Sequence, residues 1–341
     1  MHRHGSGALL AATWEDGKLL ESDHPRMKVT LPVDEDGFLG RQCPSPDCRR
    51  YFKITPGTGL TGDNLPCHCP YCGHVDDAGD FHTEVQVEYV KALAVNLFER
   101  ELLEKLKSME FEHKPRPGTF GIGISLKVTG RPDPVYMYSE KDLETVVVCN
   151  LCTLRYAIYG VFAFCPDCGS HNSFRILAKS LEVAGRKVAL AGSIEDAELS
   201  DHIVGDALGN AVAAFDGLGR EVLRVWGGRQ MPPKELSVKF QNLEGARQSV
   251  QKEVGIDIAT TGTAEEWEFL CRCFQKRHLL AHKLGVVDED YVKKAKDPEA
   301  VLGRNILVTK EEVTRLLEVL SRFGSTLSIL AGAPPQSPPF Q

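Results

Sequence analysis

The feature that most limits what this chain can fold into is a pair of cysteine clusters in its first half. The cleaner one reads Cys149-Asn-Leu-Cys152, then twelve residues, then Cys165-Pro-Asp-Cys168-Gly169. A two-residue gap lets one tight turn aim both thiolates of a pair at one ion, and two such turns on neighbouring hairpins complete a tetrahedron. The residues between the pairs, Leu154 to Phe164, are aromatic and β-branched, as hairpin strands would be. Gly169 stands where such a turn needs a positive φ. The other cluster is looser: Cys43-Pro-Ser-Pro-Asp-Cys48, then Cys69-Pro-Tyr-Cys72-Gly73. Its four-residue gap is still within metal-ligand spacing. Cys67 and His68 are spare donors there. Cys69 is preferred because it makes the tight pair with Cys72 and, like Cys165, precedes a proline.

Both clusters resemble zinc ribbons. All eight positions (Cys43, Cys48, Cys69 and Cys72; Cys149, Cys152, Cys165 and Cys168) are thiolates, so neither site keeps a position for water. The expectation is two structural Zn2+ sites and no metal used in catalysis. The stretch from Met27 to Thr83 is rich in Pro, Gly, Cys and Asp, and its core would be small without such a staple. Arg49, Arg50, Tyr51, Phe52 and Lys53 follow Cys48 directly. They would suit base stacking with phosphate contact, or form a hairpin strand with an aromatic ring inward and the charges in water.

Charge narrows the partners. Asp and Glu number 47 against 40 Lys and Arg, a net charge of −7, which excludes a chain-wide polycationic coat for nucleic acid. RNA contact would have to come from a local patch. No run approaches the ~18 apolar residues of a membrane helix. Ala8 to Thr13 is too short for a signal peptide and runs into Trp14-Glu15-Asp16. The expected compartment is the cytoplasm, with no membrane partner, where eleven cysteines are metal ligands before they are disulfides.

The organisation expected along the chain is a loose lead-in over 1–24, a first ribbon over 25–83 and an amphipathic helix over 84–114. A short β segment with the second ribbon follows over 115–185, then a helical domain over 193–332 and a Pro-rich tail over 333–341. Val87, Val90, Leu93, Ala94, Leu97, Phe98, Leu102 and Leu106 give the first helix its stripe. Ile122 to Val128 and Val135 to Tyr138 read as two strands, and Ser173 to Leu181 as a short helix before a connector between Gly185 and Gly192. Ser193 to Asp196 starts a long helix whose stripe runs from Ile203 to Trp226. Helical patterns then cover about Ser237–Gly255, Glu265–Leu284 and Lys310–Leu330. Thr309 with Glu312 suggests a capping box for the last.

The second of these patterns, Glu265–Leu284, closes within the run Arg277-His278-Leu-Leu-Ala-His282-Lys-Leu-Gly285-Val-Val-Asp288-Glu-Asp-Tyr291, which continues past it. An arginine, a polar neighbour and a histidine a few residues on resemble the signature of the HEPN superfamily, and Gly285, Asp288 and Tyr291 resemble its continuation in branches similar to RiboL-PSP proteins. The helix Asn210 to Arg220, with the internal Asp216, looks like the first HEPN helix, and Gly303 to Thr309 fits the segment before the last. The likeness covers about residues 195–332. It implies a mainly α helical bundle, preceded here by two small β zinc-ribbon modules, and metal-independent endoribonuclease activity in a homodimer, as in bacterial defence or toxin systems. The ribbons would then recognise RNA or a regulatory protein partner that restrains or triggers cleavage. The alternative is a non-catalytic zinc-ribbon adaptor that dimerises through its helical domain.

The chemistry can be argued from the side chains. RNA carries its own nucleophile, the 2′-hydroxyl; a histidine titrating near neutrality can accept its proton or protonate the leaving 5′-oxygen. A guanidinium offers a planar fork of donors to phosphoryl oxygens as charge builds. The candidates are Arg277, His282 and an assisting His278, with Asp216 orienting a histidine or holding Arg277. Arg277 and His282 lie about 140° apart around a helix at ~100° per residue, so a two-fold dimer would help to complete a cleft. From Cys271 to Lys296, seven bases (Arg272, Lys276, Arg277, Lys283, Lys293, Lys294, Lys296) face three acids, which suits a phosphate-seeking stripe. His278 and His282 share a face and could instead take a metal with Cys271 or Cys273, but these two cysteines point about 200° apart.

Overall fold

The structure is a computed structural model describing residues 29–62, 65–113, 124–143, 145–228 and 237–330. The expected lead-in and Pro-rich tail lie outside the described residues, as do Ile122 and Gly123 of the expected strand. The chain forms two units, Met1–Cys67 with His74–Tyr159, and His68–Gly73 with Gly160–Gln341.

The strands and first helix follow in chain order: β1 (Leu39–Gln42), β2 (Tyr51–Ile54), β3 (Pro66–His68), β4 (Val75–Asp77), α1 (Glu84–Lys107), β5 (Phe111–His113), β6 (Ile124–Leu126), β7 (Thr145–Val148) and β8 (Arg155–Ile158). In the first unit two hairpins, β1–β2 and β7–β8, each closed by a cysteine turn, join into one antiparallel sheet of order β1-β2-β8-β7. Arg41 pairs with Phe52 in register, Lys53 with Ala157, and Val147 with Tyr156. Leu39, Phe52, Tyr156 and Ile158 bury its core side. Phe52 meets Phe81 edge to face, with ring centres 5.9 Å apart.

The helix expected from the stripe is present, but most of the stripe is not its buried face. Thr83 and Gln86 form a reciprocal capping box at its start. Buried Gln86 then reaches Gly40 O at 2.9 Å and Glu140 Oε1 at 3.1 Å, while Glu140 also accepts from Gly40 N at 2.8 Å and from the Tyr51 hydroxyl. Further along, Asn96 Nδ2 donates to Asp133 O at 2.5 Å, and Tyr89 packs edge-on against Tyr138. Polar anchors therefore seat α1, and Val87, Leu97, Phe98, Leu102 and Leu106 stay exposed. The segment Val135–Tyr138, expected as a strand, runs beside α1 without joining a sheet, and the partner of β6 is β5.

The second unit is helical: α2 (Ser173–Ala191), α3 (Ala197–Gly228), α4 (Leu243–Val254), α5 (Ala264–His282), α6 (Glu289–Ala295) and α7 (Lys310–Leu330). The 32-residue α3 is the spine, packed against α2, α5 and α7. Leu177, Leu181, Leu208, Phe215, Leu218, Phe274, Leu316, Leu320 and Phe323 fill the core. The helix expected over Ser173–Leu181 continues to Ala191 because α2 has a second packing partner in α7; Gly185 does not break it but lies against Leu317. α2 accordingly belongs with the helices and not with the ribbon segment. Asp196 starts α3 by accepting from Leu199 N at 3.1 Å. A capping box at Thr263 and Glu266 starts α5. Thr309 accepts from Glu312 N, yet Glu312 turns its carboxylate to Lys276, so only half of the expected box forms at α7. The α6 turn is an element the sequence pattern did not suggest.

Candidate metal centres and candidate active site

Each cysteine pair sits on a turn closed by its own backbone. Cys48 N donates to Ser45 O at 3.0 Å, Gly73 N to Cys69 O at 2.9 Å, Thr153 N to Cys149 O at 3.0 Å and Gly169 N to Cys165 O at 3.0 Å. The residue after the second cysteine is left-handed in all four turns: Arg49, Gly73, Thr153 and Gly169 have φ of 51°, 72°, 65° and 66°. Such turns point neighbouring amides and both sulfurs the same way. The bases of three turns are closed as hairpins, by Cys43 N to Arg50 O, Cys149 N to Leu154 O and Cys165 N to Ser170 O.

The result is two four-cysteine groups, Cys43, Cys48, Cys69 and Cys72, and Cys149, Cys152, Cys165 and Cys168. Within each group the sulfurs lie within 4.8 Å of one another. A tetrahedral ion bound at ~2.3 Å places sulfurs about 3.8 Å apart, so the donor sets fit two structural metal ions. Cys69 belongs to the first group; Cys67 is buried in β3, where it interacts electrostatically with the buried Arg41. The Cys48 extension does not expose a stacking surface. Tyr51, Phe52 and Lys53 are buried, and Lys53 pairs with Asp34 at 2.8 Å, because this strand lies inside the sheet.

The Arg277 motif occupies the last turns of α5. Arg277 is half-buried, and its Nη1 donates to Gln241 Oε1 at 3.1 Å. Gln241 Nε2 in turn donates to Asp216 Oδ2 at 3.1 Å. Asp216 is 1% exposed and ion-paired to Arg220, with Oδ1 lacking a hydrogen-bond partner among the described residues. Among the described residues, Asp216 thus holds Arg277 through Gln241, and its hydrogen bonds run to Arg220 and Gln241 and not to a histidine. Gln241 falls inside the helical pattern expected from Ser237, but α4 begins only at Leu243 and leaves Gln241 in the turn before it, so its role was not legible. It is placed by Phe240, whose buried ring packs over Gly219 and against Phe215.

His278 and His282 are exposed, with ring centres 4.8 Å apart. Burial, then the neighbouring His282 and Lys294, lower the pKa of His278, with Asp288 opposing them. The rest of the motif is structural. Gly285 is left-handed and returns its N–H to Leu279 O; Asp288 caps α6 by accepting from Tyr291 N at 2.8 Å; Tyr291 is buried and donates to Asp297 at 2.6 Å. The basic stripe loses Lys276, which is buried, paired with Glu312 at 2.8 Å and hydrogen-bonded to Leu307 O. Cys273 lies buried near Glu312, and Cys271 stands near Glu244. Burial, ahead of the nearby carboxylates, pushes the Cys271 thiol up to about 12.

A buried polar cluster was also not legible in the sequence. His171 Nε2 lies 3.2 Å from Glu221, which Arg224 holds with two hydrogen bonds. Burial would raise the Glu221 carboxyl, but the bonds from Arg224 and His171 outweigh it and the net shift is downward. No helix among the described residues is long and apolar enough to cross a membrane. No family model matches the sequence, and no curated protein or solved structure matches the chain.

Proposed function

We propose that the helical unit is a metal-independent endoribonuclease of the HEPN type, working as a cytoplasmic homodimer, and that the two cysteine groups hold structural Zn2+. The observation that carries this reading is the joint placement of an anchored guanidinium and two solvent-facing imidazoles on the final turns of α5. Four thiolates per group favour zinc among divalent ions, since soft sulfur in a tetrahedral set suits it.

In this reaction the 2′-oxygen attacks the adjacent phosphorus and the bond from phosphorus to the 5′-oxygen breaks. One histidine accepts the 2′-proton; another, or the partner's copy, supplies a proton to the 5′-oxygen. The products are a 2′,3′-cyclic phosphate and a 5′-hydroxyl. A lowered pKa keeps His278 neutral at physiological pH, the form a base requires. Arg277, oriented by Gln241 and Asp216, would neutralise the equatorial oxygens of the phosphorane, and a fixed donor costs little reorganisation at that moment. His282 shares the proton transfers. The ribbons would engage RNA or a regulatory protein.

The test is cleavage of single-stranded RNA in EDTA by the full chain. Wild type should yield cyclic-phosphate ends, and Arg277→Ala and His282→Ala should not. A wild type that leaves RNA intact overturns the reading. The second reading, an adaptor without catalysis, draws on Leu284, which is 91% exposed beside the motif, and on exposed Leu302 and Leu307. A patch of this kind marks a contact surface.

A further inference from the structure

The helix α1 is seated on one side by polar anchors, and its other side carries an apolar row left exposed among the described residues. Gln86, Tyr89, Asn96 and Leu103 face the segment Gly130–Tyr138 and β1, through the Gln86–Gly40 and Asn96–Asp133 bonds, the Tyr89–Tyr138 contact and Leu103 over Gly130. At ~100° per residue, Val87, Val95, Phe98, Leu102 and Leu106 fall on the opposite side. They are all exposed, Val95 by 54% and Phe98 by 66%. From Val87 to Leu106 the row runs about 29 Å at 1.5 Å per residue. Directly after the helix, Phe111 and Leu126 stand opposite each other in the β5–β6 hairpin, and both are exposed as well. Single exposed apolar residues need no explanation, but an aligned row of this length does.

We propose that this face binds a second copy of the chain, α1 against α1, antiparallel about a two-fold axis passing between Asn96 and Leu97. The argument is the self-complementarity of the row. In that register Val87 meets Leu106 of the other copy, Val95 meets Phe98 and Glu88 meets Lys105; Lys91, which falls inside the same arc, lies opposite Leu102, its stem along the leucine and its ammonium reaching past it to water. A two-fold makes each of these contacts twice. Glu88 and Lys105 are both exposed and have no ion-pair partner among the described residues. A parallel pairing would instead set Glu88 against Glu88, Lys91 against Lys91 and Lys105 against Lys105, which like-charge repulsion disfavours. The interface is independent of the nuclease reading, since none of its residues belongs to the α5 motif.

The test is the mass of the full chain in solution by light scattering, with circular dichroism and metal content as checks on folding. Phe98→Glu and Leu102→Glu lie on the surface and should halve the mass of the assembly at a fixed concentration. Glu88→Lys and Lys105→Glu should each weaken association, and the double variant should restore it. A wild type that is monomeric at every concentration overturns the proposal, including the case in which a different protein covers the face. So does an unchanged mass in Phe98→Glu, whose contact would then lie elsewhere. Singles that dissociate without rescue by the double variant overturn the antiparallel arrangement. RNA cleavage is scored separately, so failure of the nuclease reading leaves these outcomes readable.

Discussion

Arg277 cannot be understood without Gln241. The guanidinium is oriented by a neutral amide that is itself fixed on the buried carboxylate of Asp216. Removing Arg277 should lower RNA cleavage by about 10²–10³, the usual loss for a donor aimed at a developing oxyanion. Gln241→Ala should cost less and act on the rate of bound substrate more than on its binding, since the charge remains while its orientation loosens; kcat and KM measured separately check this. For His278, Lys294 is one of the cations that hold its pKa down. Lys294→Met should therefore raise the His278 pKa, so that the imidazole charges at a higher pH and the acid limb of any rate profile moves upward. An NMR titration of the imidazole reads this directly, and a downward shift would contradict the placement. At this scale the sequence showed Arg277, His278 and His282 as a set, and it showed Asp216. It could not show Gln241, His171 or Glu221, because each becomes meaningful only through a partner distant in sequence.

The elements follow from caps and small residues more than from stripes. Thr263→Ala removes the acceptor that starts α5 and should cost about 1 kcal/mol in urea unfolding. Gly219 has a second role in α3: a Cβ there would lie 2.4 Å from the Phe240 ring. Gly219→Ala should destabilise by about 1–3 kcal/mol, as overpacking does. It should also shift Gln241, coupling helix packing to the Arg277 anchor. The start of α1, the end of α4 and both ends of α5 and α7 were legible because Thr and Gly mark ends by local chemistry, but α1 stops at Lys107 and not at 114, and α4 starts at Leu243, capped by Asn242, and not at Ser237. The extent of α2 was not, since Gly185 reads as a breaker until α7 lies against it. The fate of the α1 stripe was not legible either. Periodicity tells that a face is apolar and never what covers it.

For the molecule as a whole, the two cysteine groups offer donor sets for two metal ions. The purified chain should carry two zinc ions, and Cys43→Ser or Cys165→Ser should each lower the count toward one, as measured by elemental analysis. Acidification should release the metal, because a proton competes for each thiolate as pH falls. Chelation should leave most of the helical signal at 222 nm, since α2, α3, α5 and α7 bury a core of their own. A complete loss of that signal would show the helices depending on the metal sites.

The sequence by itself determined the cysteine turns, the helical second half and the clustering of Arg277 with two histidines, because each rests on spacing within a few residues of chain. Only the tertiary structure decided that the hairpins carrying the Cys43 and Cys149 pairs share one sheet, that Lys53 and Lys276 are buried in ion pairs, and that Asp216 reaches Arg277 through an intermediate amide. Those outcomes depend on which distant surfaces meet, and a buried charge or an exposed leucine is defined by its neighbours in space, not along the chain.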